Sequence, residues 1–561
     1  MKTSQGTLID PQATRRRSTP VIAQIENLPR PGILAFLLTL FVMVLYRQLS
    51  QPEGGDSAIW DYVAQCILRG QIPYRDVIEI KTPGSAYLSA VAMWIGTRLG
   101  FRDLMAVRLM QMVLVGLLST TTYLVALHYL RSRSAALIAF MIPLMSAYFV
   151  GWMLEGTQPK LSMTLFGMLT ILLIAKDRPF WAGVCSMLSC LCWQPGLLFT
   201  GTAVLIFSRY FTSWRDLRAL KVTTGAALPL VIVVLYFYSA GALKDFWTWT
   251  VAYNYNVYGP EGAKNLSDQL VHIWRVIWRV MGVKVILFVL GLAGLLMFAV
   301  ERADAKLKGR EAQQSSDLFK DALLIAPAVY FIFCLVDFQA GPDLIPLFPF
   351  IGIFAAWSVV KTGRLIKDSQ FLKQTSVGGW AREAVVAIAF VVTLACAATH
   401  KAQNVTLHDQ YSEYKTLDSI LSPQDKIYVA GAVEVLVLLN KPNLNPYIMW
   451  DKGKDSYVAA QKYGGSVGAI IDEIESHRPR LVGLSRLKGV SSRAELEQWV
   501  AEHYDKLDGY NDSVYLRRTS LARAFSFFRG IDGPRYTFLR PGLQVQNLTR
   551  GREYARPQEP E

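Results

Sequence analysis

The chain has 561 residues, 52% of them hydrophobic, and carries 58 lysines and arginines against 43 aspartates and glutamates, a net charge of +15. Its charged fraction, 18%, lies below the roughly 25% usual in soluble domains, and apolar runs of membrane-crossing length recur from Gly32 to about Ala398. A soluble enzyme and a disordered chain are thereby excluded, and the basic excess points to cytoplasmic loops of a membrane protein rather than to a nucleic-acid partner.

The apolar runs predict eleven membrane spans, near 32–48, 105–130, 134–153, 159–175, 180–193, 195–208, 222–241, 283–300, 319–337, 343–360 and 381–399. Between the fifth and sixth, Trp193, Gln194 and Pro195 supply the turn, a single kinked helix over 180–208 being the alternative. Residues 1–400 hold 36 Lys+Arg and 23 Asp+Glu, so +13 of the net charge lies there. With a cytoplasmic N-terminus, the segments 1–31, 131–133, 176–178, 209–221, 302–320 and 361–382 are inside and contain 23 of those 36 basic residues. Residues 401–561 then fall outside, and their 22 basic and 20 acidic residues have the composition of a soluble domain. The expected organisation is a basic cytoplasmic N-terminus (1–31), a polytopic α-helical domain (32–400), an extracytoplasmic α/β domain (401–520) and an extended or disordered tail (521–561).

The first outside loop, 51–104, is too long for a simple connector. Ile59, Tyr62, Val63, Cys66 and Ile67 recur at helical spacing, predicting an amphipathic helix over 57–69 that Gly70 stops. A second helix is expected near 84–97, after Lys81, Thr82 and Pro83. Both are expected to lie along the interface. Further on, strands are predicted at 426–430, 480–484 and 513–517. Helices are predicted at 433–439, 467–476 and from Ser492 to about Tyr504, the last opened by a capping box with Glu495.

No phosphate-binding glycine loop, metal-ligand spacing or cysteine pairing pattern is present in the sequence. The acidic residues at the outer face remain as candidates for chemistry. Asp56 reads first as an N-cap, Asp61 as a surface carboxylate near the helix start, and Glu155 as either a solvated helix-end residue or a reactive one.

The order of these elements resembles the GT-C glycosyltransferases, multi-span enzymes that use polyprenyl-phosphate-linked sugars. They include the protein O-mannosyltransferases and lipid A aminoarabinose transferases. The resemblance is carried by Gly55 and Asp56 with Trp60 to Ala64, then Leu68 to Asp76, then Ile80 to Gly84. Gln158–Lys160, Ala242 to Asn254 and Leu344–Pro346 agree in order and placement, and the closest likeness is to the bacterial branch. It implies a membrane glycosyltransferase in a bacterial cytoplasmic membrane, with a polyprenyl-phosphate sugar as donor and a lipid, glycan or protein acceptor outside. It makes Asp56 the general base, with Asp61 and Glu155 as secondary carboxylates. Lys81, Lys160 and Arg75 are the expected contacts to the donor phosphate, and Arg75 has a structural reading as well. Tyr74, Trp247, Tyr253 and Asn254 are candidates for substrate or lipid contact, although aromatics here serve equally as an interfacial belt. Thr82 replaces a proline of the family pattern, and Lys160 stands near where many relatives carry an acid, which leaves open whether a divalent metal takes part. The competing readings are a lipid-linked transporter or flippase without chemistry, and a glycan-binding protein of enzyme-like fold.

Overall fold

The computed structural model describes residues 31–518, apart from 154, 210–215, 260–264, 309–318, 369–376, 401–404, 488–489, 508–509 and 511–512. The basic N-terminus and the tail at 521–561 lie outside the described residues. Two compact units divide between Glu413 and Tyr414.

The first unit is helical. In chain order it contains α1 (Pro31–Leu45), α2 (Ser57–Leu68), α3 (Gly84–Arg98), α4 (Asp103–Leu130), α5 (Arg133–Leu144), α6 (Ala147–Trp152), α7 (Pro159–Ala175), α8 (Pro179–Cys192) and α9 (Leu197–Arg209). There follow α10 (Arg218–Ser239), α11 (Leu243–Trp247), α12 (Leu266–Met281), α13 (Val285–Leu307), α14 (Asp321–Val336), α15 (Phe348–Asp368), α16 (Val377–Ala398) and α17 (Leu407–Ser419), within which the division between the units falls. Among the described residues, 4 helical stretches are long and apolar enough to cross a membrane and seven more are apolar but shorter. Polar side chains set several boundaries. Ser132 Oγ accepts the Ala135 N–H at the start of α5, and Ser146 Oγ accepts the Phe149 N–H at the start of α6. Pro143, one residue from the end of α5, is followed by that break, so the third apolar run is two helices rather than one.

Residues 180–208 form a hairpin. Trp193 is extended, Gln194–Gly196 make one tight turn, and Thr200 Oγ1 donates to Ser186 Oγ at 3.0 Å. The contact pairs residues equidistant from Trp193, which an uninterrupted helix could not do. Beyond α11 the chain continues in wide π turns over Thr248–Tyr258, a geometry often found beside functional sites.

The second unit is built on a four-stranded sheet of order β1-β2-β4-β3, with β1 (Ile427–Ala430), β2 (Leu481–Leu484), β3 (Tyr504–Lys506) and β4 (Val514–Arg517). β1 and β2 are parallel, Val429 opposite Gly483, and β4 runs antiparallel to both β2 and β3. Four helices connect the strands: α18 (Glu434–Leu439), α19 (Lys454–Lys462), α20 (Gly468–Ser476) and α21 (Arg493–His503). Helix α19 and strand β3 have no counterpart in the sequence reading. β3 is three residues long and follows α21 without a turn, so no alternation betrays it.

The capping box at Ser492 does not form. Its hydroxyl makes no cap bond and donates instead to Asp455 Oδ2 at 3.1 Å, and the Ser492 N–H donates to the same oxygen at 2.9 Å. A buried carboxylate from α19 thus holds the start of α21. Asp455→Ala should destabilise this junction by about 1–3 kcal/mol, because it strands two buried donors. The loss should be read as faster amide hydrogen exchange in α21 of the full-length protein. Unchanged protection there would show that the contact carries no stability.

Candidate functional site

The site begins with the first loop. Helix α2 is buried over ten of its residues, including Asp61 at 0% exposure. This differs from the surface helix expected from periodicity, because the segment around Glu155–Gln158 covers the face that the pattern left polar. The Asp61 carboxylate accepts the Thr157 N–H at 3.3 Å and the Thr157 hydroxyl. Gly156 has φ +152°, and a Cβ there would come within 2.5 Å of Asp61 Oδ2, 2.7 Å of Ser57 Cβ and 3.0 Å of Glu53 Oε1. Only glycine lets the backbone approach this closely.

Behind Asp61 lies Glu53, 1% exposed, with Arg108 Nη2 3.5 Å from its carboxylate. Arg108 is fully buried on α4. Its guanidinium donates to the carbonyls of Leu49 (3.2 Å) and Gln51 and, at 3.4 Å, to that of Glu155. The Glu53 backbone is fixed in turn, its N–H donating to Gln410 Oε1 at 2.6 Å and its carbonyl accepting from Gln410 Nε2 at 2.9 Å. Burial raises the Asp61 carboxyl to about 6, opposed by the Thr157 bonds and Arg108. Burial, reinforced by the neighbouring Asp61 charge, holds Glu53 well above the carboxylate range against the pull of Arg108.

In front of this cluster, Asp56 is exposed and helical in backbone (φ −76°, ψ −24°), and its side chain makes no cap bond. The N-cap reading therefore does not describe it. Its charge is felt by Glu155 and by Lys81. Glu155 is half-buried, and its carboxyl is raised to about 7 by burial, with Arg108 opposing and Asp56 adding.

Two lysines face this region. Lys81 Nζ lies 4.3 Å from the centre of the Trp60 ring and Lys160 Nζ 4.7 Å from that of Trp193. Burial and then repulsion from Lys160 lower the Lys81 pKa, while Asp56, Glu79 and Asp343 counter. Lys160 follows the cap residue Gln158 and Pro159 at the start of α7 and pairs with Asp343 Oδ1 at 2.5 Å. Asp343 Oδ2 in turn accepts the N–H groups of Gln339 (2.8 Å) and Ala340 (3.0 Å).

The strand of chain bearing Lys81 is clamped from several sides. The Ile80 carbonyl accepts from Gln194 Nε2 (2.7 Å) and Asn254 Nδ2 (2.8 Å), and the Lys81 carbonyl from the Tyr74 hydroxyl (2.7 Å). Thr82, at the position where the family pattern has proline, donates to the Cys190 carbonyl at 2.8 Å. Tyr74 is 1% exposed and edge-on to Phe237 and Phe246, and Tyr253 is wholly buried against Trp249. Trp247 is exposed. Arg75 forms a two-pronged pair with Asp76 (2.8 and 2.9 Å) and donates to the Ala240 carbonyl at 2.9 Å.

Glu53, Arg108, Thr157 and Asp343 were not singled out from the sequence. Arg108 left a signal, as the one arginine of the run 105–130, and Asp343 left another at the mouth of the tenth run; such charges mark functional positions. Glu53 left none. Among the described residues no three His, Cys, Asp or Glu side chains converge closely enough to hold a metal ion, so no step is routed through one.

No protein-family model matches the sequence, and no curated protein matches it. Solved structures do. ArnT from Cupriavidus metallidurans, bound to undecaprenyl phosphate, superposes with a TM-score of 0.56 at 11% identity, covering 87% of this chain and 98% of that one. Its apo state gives 0.54 at 12% identity over the same shares. The oligosaccharyltransferase AglB from Archaeoglobus fulgidus, in complex with an inhibitory peptide and a dolichol-phosphate, gives 0.50 at 12% identity, covering 87% of this chain and 74% of that one. Both proteins are GT-C superfamily members.

The chain has the GT-C fold. The likeness rests on backbone geometry, and the site residues above stand on their own contacts within that GT-C framework.

Asp61 supplies a test of the buried cluster. Its carboxyl holds a proton more tightly in the folded state than at its ordinary value of 3.8. The associated stability is full below about pH 4 and is lost as pH rises through about 6. Wild type should therefore lose thermal stability between pH 4 and pH 7, and Asp61→Asn should flatten that slope by on the order of 3 kcal/mol. An unchanged slope in the variant would place the titration elsewhere.

Proposed function

We propose that this protein is an integral membrane glycosyltransferase that moves a sugar from a polyprenyl-phosphate donor to a hydroxyl acceptor on the outer side of the membrane. The observation that carries it is the meeting of Asp56 and Glu155 with Lys81 and Lys160 in one electrostatic neighbourhood of a GT-C fold. The lipid phosphates bound by ArnT and AglB support the donor class. Sugar and acceptor are not specified by these contacts.

Asp56 is the base. Exposed, and reached by the charges of Lys81 and Glu155, it takes the proton of the acceptor hydroxyl. The acceptor oxygen bonds to the anomeric carbon while the bond from that carbon to the phosphate oxygen breaks, and the electron pair leaves with the lipid phosphate. Negative charge grows on that oxygen, where Lys81 and Lys160 stabilise it. The Trp60 ring holds the Lys81 ammonium without neutralising it, whereas Lys160 rests on Trp193 and is shared with Asp343. The lowered Lys81 pKa is restored when an anionic phosphate arrives, so its charge is strongest when donor is bound. Glu155, raised to about 7, carries a proton for part of the time near neutrality and so relieves repulsion beside an ionised Asp56.

Asp56→Asn should reduce sugar transfer in membranes by roughly 10²–10⁴-fold at unchanged protein level. Lys81→Met and Lys160→Met should lower kcat/KM for the lipid-phosphate donor without abolishing folding. Normal turnover by Asp56→Asn would remove Asp56 as base. Transport of a lipid-linked sugar without any glycosylated product, in vesicles holding purified protein, would replace the enzymatic reading.

A further inference from the structure

Helix α12 has no counterpart in the sequence reading, which left its residues in an outer loop. With α13 it forms a stretch of 42 residues, about 63 Å if continuous, or roughly twice the hydrocarbon thickness of a bilayer. The stretch is broken at Gly282, whose φ of +52° turns the chain between the two helices. α13 has 23 residues, about 34 Å, and suffices by itself for a crossing. α12 is the remainder, and it has two dissimilar faces.

One face is packed on protein. Ile273, Val276, Ile277 and Val280 are buried, and Gln269 Nε2 donates to the carbonyls of Cys334 (3.2 Å) and Phe338 (3.1 Å). His272 Nε2 lies 3.2 Å from the Gln339 carbonyl. The helix thus lies across the end of α14, on the segment that leads to Asp343.

The other face shows Leu270, Val271, Trp274 (50% exposed), Arg275, Trp278 (58% exposed) and Arg279. Trp274 and Trp278 are one turn apart, as are Arg275 and Arg279, and these four side chains line an open groove. Neither guanidinium has an ion-pair partner among the described residues. Two exposed tryptophans alternating with two arginines are poorly suited to water. They match the boundary between acyl chains and headgroups, where an indole keeps its apolar body in lipid and an arginine reaches phosphate.

We propose that this face of α12 is a docking surface for the headgroups of anionic phospholipids, with Arg275 and Arg279 on the phosphates and Trp274 and Trp278 in the acyl boundary. The proposal rests on the first unit being membrane-embedded and is independent of sugar transfer. Two unpaired cations, against Asp268 as the acid in this helix, favour a net negative lipid over a zwitterionic one. Seated on lipid, α12 would brace the turn that carries Gln339, Ala340 and Asp343, and through Asp343 the position of Lys160.

The test uses full-length protein in neutral detergent, offered equal amounts of phosphatidylglycerol and phosphatidylcholine, with bound lipid counted by native mass spectrometry. Wild type should retain phosphatidylglycerol in preference. The double variant Arg275→Gln, Arg279→Gln should lose the preference by on the order of thirtyfold, and Arg275→Lys, Arg279→Lys should largely keep it. Equal retention of the two lipids by wild type, or an undiminished preference in the glutamine variant, would overturn the proposal. So would displacement of the lipid by millimolar inorganic phosphate, or loss of polyprenyl phosphate instead of phosphatidylglycerol in the variant. Resistance of the protein to carbonate extraction from membranes reports separately on whether the unit is embedded. A glutamine variant with a lowered thermal midpoint is replaced by Trp274→Leu, Trp278→Leu with both arginines intact, which should retain the charge preference while binding less lipid in total.

Discussion

The buried contact of Arg108 with Glu53, beside Asp61, is the constraint on which the candidate site depends. One guanidinium reaches the carbonyls of Leu49, Gln51 and Glu155, and so ties the entry of the first loop to the loop after α6. Burying such charges costs several kcal/mol per ion unless they are paired and hydrogen-bonded. Here one cation faces two acids, and the acids respond by holding protons: Asp61 is raised to about 6 and Glu53 well above its usual range. The cluster can then remain dry without carrying an uncompensated charge. Its rigidity fixes Gly156 against Ser57, and with it the placement of Glu155 relative to Asp56.

The two lysines are held by a different device. Lys81 is positioned through its backbone, clamped by Tyr74, Gln194 and Asn254, so its ammonium group is free to rest on Trp60. Lys160 is positioned through its side chain, by Asp343, whose other oxygen accepts two backbone N–H groups. A phosphate site needs positive charge that does not collapse onto neighbouring carboxylates. The Trp60 ring meets that need for Lys81, because it attracts an ammonium without cancelling it, whereas the charge of Lys160 is shared with Asp343. Tyr74, Asn254 and Arg75 each donate to a backbone carbonyl nearby, of Lys81, Ile80 and Ala240 respectively.

Much of this was legible from local pattern. The eleven apolar runs, the helix after Asp56, the helix after Pro83 and the alternation of strands and helices toward the C-terminus all follow from hydrophobic period and turn residues. The α12 helix was missed although Asp268, His272, Arg275 and Arg279 recur at helical spacing opposite Ile273, Val276, Ile277 and Val280, because a search for membrane-crossing length passes over amphipathic period. Ser492 shows the opposite failure: the capping pattern is present, but a buried Asp455 from another helix competes for its hydroxyl.

Composition and period, being properties of neighbours along the chain, already establish a chain of apolar helices with an acidic and lysine-bearing first loop. The sequence also singled out Asp56, Lys81, Glu155 and Lys160, through their order in a family pattern. Tertiary contacts were needed to establish that Asp61 is buried rather than solvated, that Arg108 with Glu53 and Asp343 with Lys160 hold the surrounding chain, and that Arg75 pairs with Asp76. Those outcomes rest on contacts across long stretches of sequence, such as Arg108 with Glu155 and Lys160 with Asp343, where burial and charge pairing are set by what the fold brings alongside.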